Sequence, residues 1–442
     1  MTRPIKLGLL LETPGAAYHS WMHPGTPRDA ATSLAAAQRL VELAESANFA
    51  FAFMADNVSM DLTAKPYYVN RLEPITALSA LAAVTSRIGL VATISTTFSP
   101  PYTAARQLGS LDVLSGGRAG FNAVTSALAS AAANFGDDAL IDHDQRYAKA
   151  AEFMEVVRGL WDSFEDDALV RDVTTRTYLD VNRVHALDHK GEYFSVTGPM
   201  NLIRSPQGHP VMFQAGTSSS GRDFAARYAE AIFAREFDIE SARVSYRDLK
   251  DRAAAHGRKP EHIQVFTGAQ FIVGKSRGEA EDKYQTVLSY VNDDDALNNL
   301  AGYYNHADLS KYDLDGPFPE ISHLATNFHR GLAEKYEREA ARRQLTLRQT
   351  AHMAAYLEED FFGTPVEVVD AMEAWMEAEA TDGFLVHNWL QPEGLQDFVT
   401  LIVPELRRRG LYQDGYQGST LREHLGLPFV PNRYAEDRLG PA

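Results

Sequence analysis

Eight short apolar runs recur along the chain, and each is continuous instead of alternating between apolar and polar residues. Strands that are covered by helices on both faces of a parallel sheet show this pattern. The pattern therefore predicts eight buried parallel strands. They cover residues 5–11, 51–55, 88–96, 118–125, 210–216, 231–237, 263–274 and 383–389.

Helical patterns, with apolar residues three or four positions apart, separate most of these runs. In the last one Thr364 can cap the N-terminus and Pro365 suits the first helical position. The predicted helices cover residues 32–47, 103–115, 146–164, 221–231, 240–257 and 364–380. Eight strands alternating with helices predict an α/β fold, the (β/α)8 TIM barrel. A doubly wound sheet is disfavoured because no GxGxxG motif follows the first strand and no Walker A motif is present.

Two segments exceed the length of ordinary barrel connections. Residues 165–209 carry turn signals and hairpin-like pieces, whereas residues 281–363 combine helical segments with an aromatic stretch. Insertions of this length usually form lids or substrate walls. No repeat or linker divides the chain, so residues 1–442 are expected to form a single domain with these two long insertions.

Composition excludes several functions. The net charge is −17 and no basic stripe is present, which argues against nucleic-acid binding. The chain has no cysteine, which excludes thiolate nucleophiles and thiolate metal sites. No apolar run approaches the roughly 18 residues of a membrane span, so a cytoplasmic protein is expected. His185 and His189 are spaced like metal ligands but lack a third ligand, and no metal site is predicted.

Polar residues follow the predicted strands, where a barrel of this kind has its active site. Most carry hydroxyl or amide groups, which suit a flavin ring and its phosphate better than a divalent metal. The residues considered are Glu12, Asp56, Asn57, Thr93, Ser95, Asn122, Ser126, Gln214, His387 and Asn388.

The segment from residue 214 to residue 231 carries the clearest single signal. A strand ends at Gly216, serines follow, and a helix begins near Gly221. Small residues allow close backbone approach, and the N-terminus of a helix favours an anion. The alternative is an ordinary serine-rich helix cap. A serine hydrolase is disfavoured because the chain has no GxSxG motif.

Several long motifs together resemble the bacterial luciferase-like flavin monooxygenases. The similarity is greatest to the group of nitrilotriacetate, dibenzothiophene-sulfone and long-chain alkane monooxygenases, and it covers most of the chain. The matching segments occur in the expected order. They are residues 53–57, 89–126, 142–163 and 189–233 and, more weakly, residues 311–321.

The resemblance implies a (β/α)8 fold that binds FMN non-covalently. Reduced FMN (FMNH2) would come from a separate NAD(P)H-dependent flavin reductase and would activate dioxygen as a flavin hydroperoxide to oxidise a small organic substrate. A homo-oligomer, a dimer or a tetramer, is also implied. The matching positions assign the flavin to Asp56, Thr93, Ser126, His143, Tyr147 and Ser218.

Some features of the site remain unassigned at this stage. Ala127 stands where family members often carry a polar residue or a histidine, which places the flavin contact there in question. No catalytic base is assigned. His19, His387 and Asn388 are candidates for the substrate side only.

Two other functions are compatible with the same barrel. One is a deazaflavin-dependent oxidoreductase that transfers hydride without oxygen, and the other is a flavin-binding or storage protein without turnover. Consumption of dioxygen in the presence of reduced FMN separates a monooxygenase from both.

Overall fold

The computed structural model describes residues 3–60, 62, 66–126, 128–216, 218–236, 238–325, 330–355 and 361–436. The strands are β1 Lys6–Leu10, β2 Phe51–Met54, β3 Gly89–Ser95, β4 Ala119–Val124, β5 His189–Lys190, β6 Ser195–Val196, β7 Val211–Gln214, β8 Ala231–Ala234, β9 Gln264–Val273, β10 Phe362–Gly363 and β11 Gly383–Asn388. Eight of them are parallel and pair in the order β1, β2, β3, β4, β7, β8, β9 and β11, and β11 pairs with β1 to close a barrel. The predicted (β/α)8 fold is confirmed.

Helices cover the outside of the barrel and build most of the second insertion. Those on the first half of the chain are α1 Leu34–Ser46, α2 Pro66–Val69, α3 Pro74–Ala82, α4 Pro101–Leu114, α5 Ala129–Ala133, α6 His143–Trp161, α7 Ser219–Tyr228 and α8 Ile239–Ala255. Those that follow are α9 Arg277–Leu288, α10 Asp293–Tyr303, α11 Arg330–Arg343, α12 Leu347–Ala355, α13 Pro365–Glu377, α14 Glu393–Asp397, α15 Val403–Arg408, α16 Leu421–His424 and α17 Arg433–Glu436.

Helix α3 is the barrel helix that the periodicity did not predict. It is mostly buried and short, so it lacks the polar face on which that prediction depends. Its N-terminus nevertheless carries a clear signal. The Glu73 side chain accepts hydrogen bonds from the amides of Ile75 and Thr76, and Pro74 occupies the first turn.

The second insertion contacts the segment that follows β1. The Tyr18 hydroxyl donates to Asn299 Oδ1 at 3.1 Å, and His19 Nε2 lies 2.8 Å from Asp295 Oδ2. Both partners belong to α10, so this helix lies against a loop at the barrel mouth. The first insertion includes the β5–β6 hairpin. The expectation of a single domain over residues 1–442 stays a prediction.

Apolar side chains fill the barrel interior. Phe51 packs edge-on against Phe213 and Phe266, with ring centres 4.9 and 5.0 Å apart. The interior is therefore a packed core and not a pore. Its buried members are Leu10, Ala50, Phe51, Phe53, Val91, Val211, Phe213, Ala231, Phe266, Leu385, Leu421, Leu425 and Leu427.

Helix α16 closes the N-terminal end of the barrel. Leu421 enters the interior beside Gly89 and Gly120, where an added Cβ would lie 2.5 and 3.0 Å from its side chain. The two glycines therefore leave the space that Leu421 occupies. His424, on the same helix, is 5% exposed, and neither ring nitrogen has a hydrogen-bond partner among the described residues.

We expect His424 to make the fold sensitive to acid. Burial lowers the pKa of His424 to about 4, so the unfolded chain binds a proton more readily than the native protein does. The neutral His424 side chain therefore contributes its full share to the free energy of unfolding above the unfolded-state pKa, and this contribution is lost as the pH falls toward 4. The loss between pH 8 and pH 5 is roughly 2 kcal/mol. Urea titrations at both pH values should show this loss, and His424→Leu should remove it.

The control for this prediction is the exposed residue His256. His256→Gln should retain the acid sensitivity of the wild-type protein. Equal sensitivity in His424→Leu and in the wild type would show that His424 does not carry the effect.

Candidate active site

A layer of polar side chains lies above the apolar core, at the C-terminal end of the barrel. Side chains alternate along a strand, so a residue two positions after an inward-facing residue also faces inward. Leu10 and Leu385, for example, belong to the interior cluster, and Glu12 and His387 follow them by two positions. The same rule identifies the whole polar layer as Glu12, Thr93, Asn122, Arg235, Gln270 and His387.

Glu12 is the centre of a hydrogen-bonded group in this layer. Its side chain is 4% exposed, and its Oε2 atom lies 2.6 Å from Nε2 of His387. The Tyr68 hydroxyl donates to the other carboxylate oxygen. The neighbouring Tyr67 hydroxyl donates instead to the Leu11 carbonyl at 2.9 Å. Two side chains from different parts of the chain, Tyr68 and His387, thus meet at the buried Glu12 carboxylate.

A cavity of about 210 Å³ lies beside this group, and we name it the first-strand cavity. Apolar and aromatic residues form most of its wall, and Glu12 and Arg28 are its charged residues. The lining residues are Glu12, Pro14, Gly15, Ala17, Ser20, Trp21, Arg28, Ala30, Ala31, Tyr67, Tyr68 and Asn70.

A second cavity of about 190 Å³ lies at the ends of β2, β3 and β4, and we name it the third-strand cavity. Asp56, Thr93 and Ser126, three of the predicted flavin residues, line it together. Asp56 Oδ1 lies 3.1 Å from Arg71 Nε, and the Arg71 guanidinium lies 5.3 Å from the Tyr68 ring centre. Arg71 and Tyr68 thus connect the walls of the two cavities.

The hydroxyl groups of Thr93 and Ser126 already have partners within the protein. Thr93 Oγ1 donates to the Met54 carbonyl at 2.8 Å and accepts from Asn122 Nδ2 at 3.2 Å. Ser126 Oγ donates to Ser95 Oγ at 2.8 Å. The proton of the Thr93 hydroxyl is therefore engaged, and this group can offer a ligand only an acceptor site.

Burial raises the pKa of Asp56, which lines the same cavity, and the charge of Arg71 opposes this rise. Like Thr93, an ionised Asp56 carboxylate can offer a ligand only acceptor sites, so both residues suit N–H or O–H groups of a ligand.

Several buried polar atoms at the C-terminal ends of the strands lack a partner among the described residues. They are Asn122 Oδ1, Gln214 Oε1 and both polar side-chain atoms of Asn388. An unsatisfied buried polar atom costs about 1–3 kcal/mol. Of these three residues, Asn122 belongs to the inward-facing polar layer, whereas Gln214 and Asn388 each follow an inward-facing residue by one position and face outward. Asn122 Oδ1 can therefore accept a hydrogen bond from a ligand at the barrel mouth.

Tyr147 lies in the first turns of α6, and its hydroxyl is next to the N-terminus of α7. An added Cβ at Gly216 or Gly221 would lie 2.8 or 2.7 Å from the Tyr147 hydroxyl, so both glycines let this group approach the backbone. Ser218 Oγ accepts a hydrogen bond from the Gly221 amide at 3.0 Å and caps α7. The hydroxyl proton of Ser218 remains available. Together with the first amides of α7, the two hydroxyls form a cradle that suits a phosphate.

His143 stands at the first turn of α6, next to this cradle. Its ring centre lies 5.1 Å from that of Tyr147, and its Nδ1 atom lies 3.0 Å from Asp144 Oδ1. The Ser220 hydroxyl donates to the same Asp144 oxygen at 3.0 Å. These two hydrogen bonds lower the pKa of Asp144. Only Nε2 of His143 is left for a ligand, and Ser220 is already occupied.

The six predicted flavin residues thus divide into two groups. Asp56, Thr93 and Ser126 share the third-strand cavity, whereas Tyr147 and Ser218 lie at the cradle and His143 lies beside it. Ala127, which stands where family members often carry a polar residue or a histidine, lies outside the described residues. Tyr68, Arg71 and Arg28 were not selected from the sequence, because Tyr68 lies in the one-turn helix α2 and the two arginines lie in loops, and no periodicity predicts the course of such segments. Two further absences hold for the part of the chain that the structure describes: no helix there is long and apolar enough to cross a membrane, and no cluster of residues there could hold a metal ion.

The chain is similar to known proteins over most of its length. A family model described as "Luciferase-like monooxygenase" matches residues 16–402. N-acetyl-S-(2-succino)cysteine monooxygenase of Bacillus subtilis (strain 168) is 42% identical over 98% of this chain and 99% of its own length. Nitrilotriacetate monooxygenase component A of Aminobacter aminovorans is 39% identical, again over 98% and 99%. A crystal structure of riboflavin lyase with modified FMN and riboflavin superposes with a TM-score of 0.84 at 34% identity, over 97% of both chains.

Removal of the Tyr147 hydroxyl should weaken binding of a phosphate at the cradle. A hydrogen bond to a charged group contributes about 1.5–3 kcal/mol, so Tyr147→Phe and Ser218→Ala should each lower FMN affinity roughly 10- to 150-fold. Riboflavin lacks the phosphate, and its affinity should hardly change. Fluorescence titration with both flavins measures the difference.

Tyr228→Phe is the matched control for this prediction. Tyr228 lies on α7, the helix that Ser218 caps, but its hydroxyl donates to Glu155 at 2.9 Å. Loss of this hydroxyl should therefore leave FMN affinity unchanged. An equal loss of affinity for FMN and riboflavin in Tyr147→Phe would place Tyr147 near the ring and contradict the cradle.

Proposed function

The chain belongs to the luciferase-like monooxygenase family and is a flavin-dependent monooxygenase, and we propose that it uses reduced FMN and dioxygen to oxidise a small carboxylate-bearing substrate. The observation that carries this proposal is the joint geometry of the cradle and the third-strand cavity. One offers hydroxyls and helix amides to a phosphate, and the other offers buried polar groups to a ring. When bound, reduced FMN supplies the two electrons that dioxygen activation needs.

The protein would hold FMN through residues at two places. Tyr147 and Ser218 would donate to the phosphate, with His143 Nε2 within the same neighbourhood. Asp56 and Asn122 would bond polar groups of the ring or ribityl chain. Bonds of this kind orient the flavin, and the surrounding walls exclude water from its reactive face.

A separate NAD(P)H-dependent reductase would supply the reduced flavin. One relative, 39% identical over nearly its whole length, is named as component A of a monooxygenase. A protein that shares its flavin with a second protein must release it readily. Supply of reduced flavin by a separate reductase is compatible with the predicted dimer or tetramer.

The substrate class follows from the first-strand cavity. Arg28 lines this cavity, donates to the Trp21 carbonyl at 3.2 Å and lies over the Trp21 ring at 5.5 Å. It makes no ion pair with any residue that the structure describes, although the chain has 59 acidic and 42 basic residues. A cation without an acidic partner in so acidic a chain is well placed to bind a carboxylate of the substrate. Two relatives are named for polycarboxylate substrates.

We expect the purified protein to contain little flavin and to consume dioxygen only when reduced FMN is supplied. An oxygen electrode with photoreduced FMN, catalase and N-acetyl-S-(2-succino)cysteine or nitrilotriacetate tests this, with product measured by mass spectrometry. A tightly bound flavin that NADH reduces without a second protein would contradict the proposal. Turnover with a deazaflavin in the absence of oxygen would support the hydride-transfer alternative, and flavin binding with no turnover of any substrate would support the storage alternative.

Arg28→Gln should raise the KM for a carboxylate substrate. The site is exposed at the cavity rim, so we expect a loss of about 1.5 kcal/mol, or roughly a tenfold rise in KM, with little change in kcat. The same substrate with its carboxylates esterified should show no such change.

Arg39→Gln is the matched control because it removes the same charge from an exposed position on α1. Its KM should equal that of the wild type. A parallel rise in KM for Arg28→Gln and Arg39→Gln would mean that only overall charge matters, and would remove Arg28 from the substrate site.

A further inference from the structure

The group formed by Glu12, Tyr68 and His387 has an unusual property among the polar groups of the barrel mouth. Its carboxylate receives donors from two different side chains while remaining 4% exposed. None of the three residues was among the predicted flavin contacts. They lie beside the first-strand cavity, whose wall includes Glu12 and Tyr68.

The protonation of the group follows from its surroundings. Burial raises the pKa of Tyr68 well above its ordinary value, and the negative charge of Glu12 raises it further. Tyr68 therefore keeps its proton and donates to Glu12. Because the carboxylate acts as an acceptor, the proton between Glu12 and His387 lies on Nε2 of the imidazole.

This arrangement fixes the role of the second ring nitrogen. With a proton on Nε2, Nδ1 of neutral His387 carries a lone pair. Nδ1 makes no hydrogen bond with any described residue, and it is not among the buried atoms that lack a partner. It is therefore accessible, on a ring that is 15% exposed.

We propose that His387 accepts a proton at Nδ1 from the bound substrate or product, and that Glu12 and Tyr68 position it for this step. The proposal rests on the monooxygenase function stated above. A carboxylate on one side of an imidazole orients the ring and stabilises the imidazolium that forms on the other side. Glu12 and Tyr68 are positioning residues, since both act through His387.

The step is a proton transfer without change of oxidation state. An O–H or N–H bond of the substrate or product breaks, its electron pair stays on oxygen or nitrogen, and a new N–H bond forms at Nδ1. The positive charge then lies next to the Glu12 carboxylate. Water at the accessible edge of the ring afterwards removes the proton and restores the neutral imidazole.

Tyr68 and Glu12 should influence His387 in opposite directions. Glu12→Gln removes the negative charge that stabilises the imidazolium, so the midpoint measured for His387 should lie at lower pH than in the wild type. Tyr68→Phe removes a donor that partly neutralises the carboxylate. The remaining charge acts more strongly on the ring, so the midpoint should move to higher pH.

The test is ¹⁵N NMR of the histidine side chains in the protein without flavin, with His387→Gln used to assign the His387 signals. The wild type should show the Nε2-protonated tautomer, and the two variants should show the opposite movements of the midpoint. In turnover assays the acid limb of the kcat profile should follow the same movements. His387→Gln should lower kcat by about 10²–10⁴-fold and remove this limb, with KM changed by less than about threefold.

Tyr67→Phe is the matched control. The Tyr67 hydroxyl is adjacent in sequence and buried, but it donates to the Leu11 carbonyl and not to Glu12. Its loss should lower Tm while the His387 midpoint stays in place. A purely structural role for the group predicts the same behaviour for Tyr68→Phe.

Several outcomes would overturn the proposal. They are an Nδ1-protonated tautomer, midpoints that stay in place in Glu12→Gln and Tyr68→Phe, or a kcat profile that keeps its acid limb in His387→Gln. These results are distinguishable from failure of the proposed function. Failure of that function would appear as no oxygenation by the wild type, whereas the NMR measurement requires neither flavin nor substrate.

Discussion

Closure of eight parallel strands into one barrel is the constraint from which the rest of the structure follows. Because all strands run in the same direction, their C-terminal ends meet at one rim. The interior below this rim is filled by aromatic and aliphatic side chains, so polar residues can face inward only at the upper end. Glu12, Thr93 and His387, which are far apart in the sequence, are therefore neighbours in one layer.

The strands could be predicted because their burial leaves a direct record in the sequence. A strand covered on both faces is apolar along most of its length, and each of the eight apolar runs became a barrel strand. Helix α3 was missed for a related reason, since a short helix that is largely buried has no polar face. Its capping residues Glu73 and Pro74 were the signal that periodicity alone overlooks.

The candidate site could be predicted only where residues stand at fixed positions on barrel elements. Asp56 and Thr93 follow or end strands, and Tyr147 and Ser218 lie at the starts of helices, so topology brings each near the mouth. Contacts made by the connecting segments between strands could not be predicted in this way, because the path of each segment determines what it touches. The pairing of Asp56 with Arg71 and the bond from Tyr68, on the one-turn helix α2, to Glu12 are of this second kind. The resemblance to a flavin enzyme pointed to the first group and could not point to the second.

The cradle and the first-strand cavity, both at the barrel mouth, differ in the charged groups that they offer. The cradle offers hydroxyls and helix amides, whereas the first-strand cavity places Arg28 at its rim and the Glu12 group at its base. This division fits a cofactor held by rigid helices and a substrate held by loops.

The most direct test of the proposed function is turnover under ¹⁸O2 with reduced FMN and a carboxylate-bearing substrate, quenched before oxygen exchange with water. A monooxygenase should give a product that contains one oxygen atom from ¹⁸O2, and a product oxidised without incorporation of that isotope would contradict this function.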